Sequence, residues 1–109
     1  MKKLLLIISA LLLTQSALAD NLDKSRDKVK QIFVSKQEPT AIDAVWTSDN
    51  VFKVGVHDDG SSRDGYAEYV CQVLYEHGFK GKSVLVRVVD IDKIVQTGEW
   101  VNLGTAQCN

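Results

Sequence analysis

The densest group of residues able to do chemistry is His57-Asp58-Asp59-Gly60-Ser61-Ser62-Arg63-Asp64, which brings an imidazole, three carboxylates, two hydroxyls and a guanidinium together. A calcium loop is one use of such a stretch. It requires D-x-[DN]-x-[DN]-G and a later glutamate, and neither Asp58 nor Asp59 starts that pattern. A transition-metal site needs three or four ligands, and the stretch supplies one imidazole and flexible carboxylates unless His77 comes across the fold. Hydrolysis could recruit Ser61 or Ser62 as nucleophile with His57 as base, but there is no G-x-S-x-G elbow, and capping of the helix that follows accounts for the serines. No carboxylate pair lies in an apolar setting, and no glycine-rich loop suits a phosphate. The stretch therefore reads as a polar strand-to-helix loop, with no catalytic residue, metal or cofactor expected. A small metal-dependent or hydrolytic enzyme built on His57, Asp58 and Asp59 is the competing reading.

Two further sets of side chains carry chemistry. Cys71 and Cys108 are the only cysteines. In an oxidising compartment they would form a disulfide closing a loop of roughly 38 residues, worth about 3 to 4 kcal/mol in the chain-entropy model. A redox pair would be closely spaced, as in C-x-x-C, and this one is not. The second set is aromatic. Tyr69 falls on the wet side of its helix among Glu68, Gln72 and Glu76, and with Tyr75 and Trp100 it forms the candidate interaction surface, because such rings bury much area at little entropic cost.

The element that must position these groups is a helix over Ser61 to Phe79. Ala67, Val70, Cys71 and Leu74 recur at i, i+3, i+4 and i+7, with Tyr66 and Val73 widening the dry face. Ser61 with Asp64 has the form of a capping box, and Gly78 with Phe79 that of a Schellman stop. Ahead of it, Asn21 to Lys36 reads as an amphipathic helix with Leu22, Val29, Ile32 and Phe33 inward, and Pro39 prevents its continuation. Between the two helices lies a hairpin. Ile42 to Thr47 and Val51 to His57 alternate, joined by Ser48-Asp49-Asn50, and Gly55 in mid-strand signals a bulge or a close packing contact.

Beyond the long helix, Ser83 to Ile91 is apolar on both faces, as in a central strand, with Arg87 marking incomplete cover. If the strands before and after the helix are parallel, their crossover is expected to be right-handed. Asp90 to Thr97 reads as a short helix capped by Asp90 and stopped by Gly98, and a last strand, Trp100 to Ala106, returns Cys108 to Cys71. The fold class is α+β: helix, strand, strand, helix, strand, short helix, strand, with an antiparallel or mixed sheet packed by helices and one disulfide.

Composition and the N-terminus limit the function. Lys2 and Lys3 precede the apolar run Leu4 to Leu13, and Ala17-Leu18-Ala19 suits a signal peptidase, so residues 1–19 read as a cleaved signal peptide and 20–109 as one exported domain. The run is too short for about 30 Å of hydrocarbon, no later segment approaches roughly 20 apolar residues, and no lipoprotein cysteine follows the leader. A periplasmic address is expected. The whole chain carries 13 basic and 14 acidic residues; without Lys2 and Lys3 the balance is 11 to 14, a net charge of −3. That charge does not suit nucleic acid. Peripheral lipid contact is left to Lys24, Lys28 and Lys30 on the first helix.

The order helix, strand, strand, helix, strand, the exported address and the V-x-x-V-G-V segment Val51 to Val56 resemble the small BON domains of bacterial envelopes, over about two thirds of the mature chain. The cysteine pair and the final strand depart from that pattern. The resemblance implies a BON-like envelope or lipid-associated domain. The residues themselves point first to a small soluble periplasmic binding or interaction module, with another envelope protein as partner, acting as an accessory subunit or an inhibitor.

Overall fold

Residues 22–109 are described here by a computed structural model. The signal peptide expected at 1–19 lies outside them, as do residues 20 and 21. Residues 22–34 are helical (α1), followed by β1 (Asp43–Ser48), β2 (Val51–Val56), α2 (Asp64–Glu76), β3 (Leu85–Asp90), α3 (Ile91–Thr97) and β4 (Asn102–Gln107). The element order and the α+β class match the sequence reading. The four strands form one mixed sheet in the order β1-β2-β3-β4, with β1 antiparallel to β2, β2 parallel to β3 and β3 antiparallel to β4.

Strand alternation divides the sheet into two unlike faces. On the first, Ala44, Phe52, Val54, Val56, Val86 and Val88 meet Val29 and Phe33 of α1 and Ala67, Val70 and Leu74 of α2 in one core. Trp46 stacks at 4.7 Å on Phe52 and 5.3 Å on Phe79, and Phe33 meets Phe52 edge-on at 5.6 Å. Each fully buried Phe, Leu or Val of this set contributes about 1.5 to 3 kcal/mol of apolar transfer. The expected disulfide between the only two cysteines, Cys71–Cys108, ties α2 to the end of β4 across a Cα separation of 5.4 Å.

Several boundaries follow the sequence closely. At the end of α2, Phe79 N donates to Leu74 O and Gly78, at φ +91°, donates to Tyr75 O, which is the expected Schellman closure. Asp90 caps α3 by accepting from the N–H groups of Asp92 and Lys93, and Gly98 ends it in the left-handed region. Gly55 is a close packing contact, since a Cβ there would meet Ile91 Cδ1 at 3.0 Å.

The start of α2 differs from expectation. Its N-cap is Arg63, with no side-chain cap, and helix runs only from Asp64 to Glu76. Ser61 turns its hydroxyl back to Asp59, and the Asp64 carboxylate accepts from Thr105 N at 2.9 Å, so the capping box does not form. β4 begins at Asn102, leaving Trp100 outside the strand, and within the strand the register slips between Val88 and Val89. Ile42, expected as the first residue of the first strand, lies ahead of β1, which starts at Asp43, and is exposed.

Candidate functional site

The second face of the sheet is only partly covered. Residues paired across the strands share a face, so Val45, Lys53, Arg87 and Thr105 form one row across the full width of the sheet. Toward the C-terminal end of β3, Gly55 and Val89 form the next row beneath Ile91, where α3 leans on the sheet. No helix among the described residues covers the row containing Lys53 and Arg87, and both side chains are half-buried.

Where α3 leaves off, a cleft of about 250 Å³ opens between Val45 and Lys53 on one side and Val89, Ile91, Ile94 and Trp100 on the other. Most of its wall is apolar. Asp43 stands at its rim, with its carboxylate accepting from Ala44 N at 2.8 Å. The Lys53 ammonium lies 4.9 Å from the centre of the Trp100 ring, a cation–π contact that anchors the indole at the mouth. Trp100 is 51 % exposed, and its indole N–H has no partner among the described residues. Trp46 is the internal contrast: its ring packs in the core and its N–H donates to Arg26 O at 2.9 Å.

Lys53 and Arg87 are register partners on adjacent parallel strands, with backbones about 4.8 Å apart. Neither meets a carboxylate among the described residues. Arg26, by contrast, is consumed structurally: it pairs with Asp23 at 2.9 Å, donates to Asp49 O and lies over the Trp46 ring. On α1, Lys24 and Lys28 are exposed and Lys30 is half-buried.

The three candidate aromatics do not share a surface. Tyr69 is on α2, and its hydroxyl donates to Glu38 Oε1 at 2.5 Å, tying the loop after α1 to the helix; that bond, ahead of slight burial, raises its pKa. Tyr75, also on α2, accepts from Asn109 N at 2.9 Å and so holds the C-terminus. Trp100 alone borders the cleft.

The loop from His57 to Asp64 organises itself. Asp58 accepts from Gly60 N, and Asp59 accepts from both the N–H and the hydroxyl of Ser61, which hold its pKa below the usual value, with Arg63 a smaller cause. His57 Nδ1 lies 2.9 Å from Asp92 of α3, so the imidazole and Asp92 link the end of β2 to the helix that walls the cleft. Ser61 faces Asp59 and not His57, and no group of three His, Cys, Asp or Glu among the described residues is placed to hold a metal ion. Arg63 donates to His57 O at 3.0 Å and lies 3.4 Å from Asp59, with its Nε buried and without a partner among the described residues.

With this geometry in hand, comparison with known proteins adds no assignment: no family model, curated protein or solved structure matches the chain. The helix-strand-strand-helix-strand order behind the BON resemblance is present, with α3 and β4 appended. No helix of the described residues is long and apolar enough to cross a membrane. The sequence reading named Trp100 and noted Arg87, but it missed Lys53 as their neighbour. Its position opposite Val45 and Arg87 follows from strand register.

Proposed function

We propose that this chain is a small exported binding module, periplasmic in location, that docks an envelope protein on the uncovered face of its sheet as an accessory subunit or inhibitor. The observation that carries this reading is Trp100: half exposed, with an unclaimed N–H, held by Lys53 over an apolar cleft. Tryptophan, with tyrosine and arginine, dominates the energetics of protein interfaces. A core has no use for the ring in this position, and nearby Val45, Val89 and Ile94 supply the apolar surround that excludes water from such a contact. The loop from His57 to Asp64 supports scaffolding, since Asp58 and Asp59 are committed to its own backbone and Asp64 to Thr105 N of β4.

The test is crosslinking of the mature chain in an oxidising compartment, with Trp100→Ala and Tyr69→Ala compared. An interface anchor is worth about 2 kcal/mol or more, or roughly 30-fold in affinity. Capture of a dominant partner should fall by that factor in Trp100→Ala. The same substitution removes an exposed cation–π contact of about 0.5 to 1 kcal/mol, so Tm should move by no more than ~8 °C. Tyr69→Ala should leave capture unchanged. Capture indifferent to Trp100 places the docking surface elsewhere.

A further inference from the structure

Resting on the reading of the uncovered face as the docking surface, we infer that its occupant is an acidic segment of a partner protein that inserts one large apolar side chain into the cleft beside Trp100 and sets carboxylates against Lys53 and Arg87. Two observations lead to this chemistry. The domain after the leader carries an excess of acidic residues, 14 against 11 basic, yet the middle row of the uncovered face carries two cations and no anion. Neither cation enters an ion pair among the described residues: Lys53 lies over the Trp100 ring, Arg87 meets no acidic group there, and the one carboxylate on the cleft, Asp43, stands at its rim with Oδ1 on Ala44 N and pairs with neither. Unpaired like charges on one face select an anionic partner and oppose cationic ones.

The distribution of these groups distinguishes a protein segment from a small ligand. Enclosing pockets for small molecules run to about 300–1,000 Å³ and converge their polar groups inside. Here the cleft is about 250 Å³, and Arg87 lies outside it, one strand beyond Lys53, with Thr105 continuing the row toward β4. The recognition points are therefore spread along the sheet. A chain segment can reach them all, placing a Phe, Leu or Trp in the cleft and an Asp or Glu a few residues away over Arg87. The guanidinium, planar and with five donors, is suited to donate two parallel N–H bonds to such a carboxylate.

The experiment is selection of a random displayed-peptide library against the oxidised chain without its leader. Clones are then rebound to Lys53→Gln/Arg87→Gln and to Trp100→Ala, each confirmed folded by its melting transition. The expected result is enrichment of peptides carrying at least two acidic residues near one large apolar residue. Affinity should fall on the order of tenfold in the double glutamine variant, as two exposed charge pairs would give, and wild-type binding should weaken with added salt. Three results overturn the proposal. Neutral or basic peptides that survive the glutamine variant but are lost in Trp100→Ala would leave the face as the site and remove the acidic chemistry. Peptides that bind all three proteins equally would place binding off this face and remove the underlying reading as well. No enrichment, with salt-sensitive cosedimentation on phosphatidylglycerol vesicles that is lost in the glutamine variant, would assign the cations to a membrane surface.

Discussion

Gly104 offers the sharpest test of how α2 is seated, because a Cβ at that position would land in the backbone of the helix start. It would lie 2.6 Å from Asp64 N and closer still to the carbonyl carbon and oxygen of Arg63. Ordinary contact begins near 3.4 Å, so β4 and α2 must part by at least 0.8 Å, the difference between 2.6 and 3.4. Two bonds span that seam, Arg63 N to Leu103 O and Thr105 N to Asp64 Oδ1, both 2.9 Å. Opened by 0.8 Å they pass beyond hydrogen-bonding reach, costing about 1 kcal/mol each, and residual overpacking adds about 1 kcal/mol or more. The helix cannot slide away, because Cys71 is bonded to Cys108 two turns along. Gly104→Ala is thus expected to destabilise by about 3 kcal/mol, lowering Tm by ~12 to 24 °C. Gly65→Ala is the matched control: it lies in the first turn of α2 with nothing within 4 Å of the added Cβ, and should stabilise by about 0.5 to 1 kcal/mol. Thermal melts by circular dichroism decide between them. A Gly104→Ala protein melting within ~4 °C of the parent would refute the seam as described.

The remaining predictions concern the staple and a buried hydroxyl. Cys71→Ser/Cys108→Ser, or reduction of the parent chain, should lower the urea-unfolding free energy by about 3 to 4 kcal/mol, since the pair spans 37 residues and joins α2 to the last strand; an unchanged midpoint would contradict that role. Tyr66 has its pKa pushed up to about 12, chiefly by burial and further by Glu38 and Tyr69, and its hydroxyl has no hydrogen-bond partner among the described residues. The folded pKa is raised above the unfolded value near 10, so its contribution is whole below pH 10 and is lost as pH rises from 10 toward 12. Tyr66→Phe should therefore keep full stability at pH 7 and lose less than the parent between pH 10 and 12 in parallel melts; an equally steep alkaline loss would count against it.

Local and long-range features divide what the sequence makes legible. The Schellman stop at Gly78 and the Asp90 cap of α3 are closed by partners within a few residues, and both are readable from residue type and spacing. The start of α2 is not. Ser61 and Asp64 satisfy the capping pattern, but Asp59 competes for the Ser61 hydroxyl two residues away, and Asp64 finds Thr105 at a separation of 41 residues. Gly104 reads as an ordinary strand glycine until the backbone of Arg63 is seen against it. The disulfide was readable because there are only two cysteines to pair.

The candidate site shows the same division, and it decides which aromatic matters. Periodicity assigns Lys53 and Arg87 to faces of their strands, but it cannot say that the strands are neighbours, parallel and in register. That adjacency turns two scattered cations into one row. Nor can spacing separate the three rings. Tyr69 and Tyr75 look like surface anchors on a helical wheel, yet each hydroxyl is spent inside the fold, one on Glu38 and one on the backbone of Asn109. Replacing them with alanine breaks an internal tie, so a loss of binding in those variants would carry a loss of stability with it. Trp100 lies outside β4, which begins at Asn102, and of the three rings it alone combines exposure, an unclaimed N–H and an apolar cleft. A binding defect larger than the small stability loss of one exposed cation–π contact is therefore the signature expected of Trp100 and of neither tyrosine.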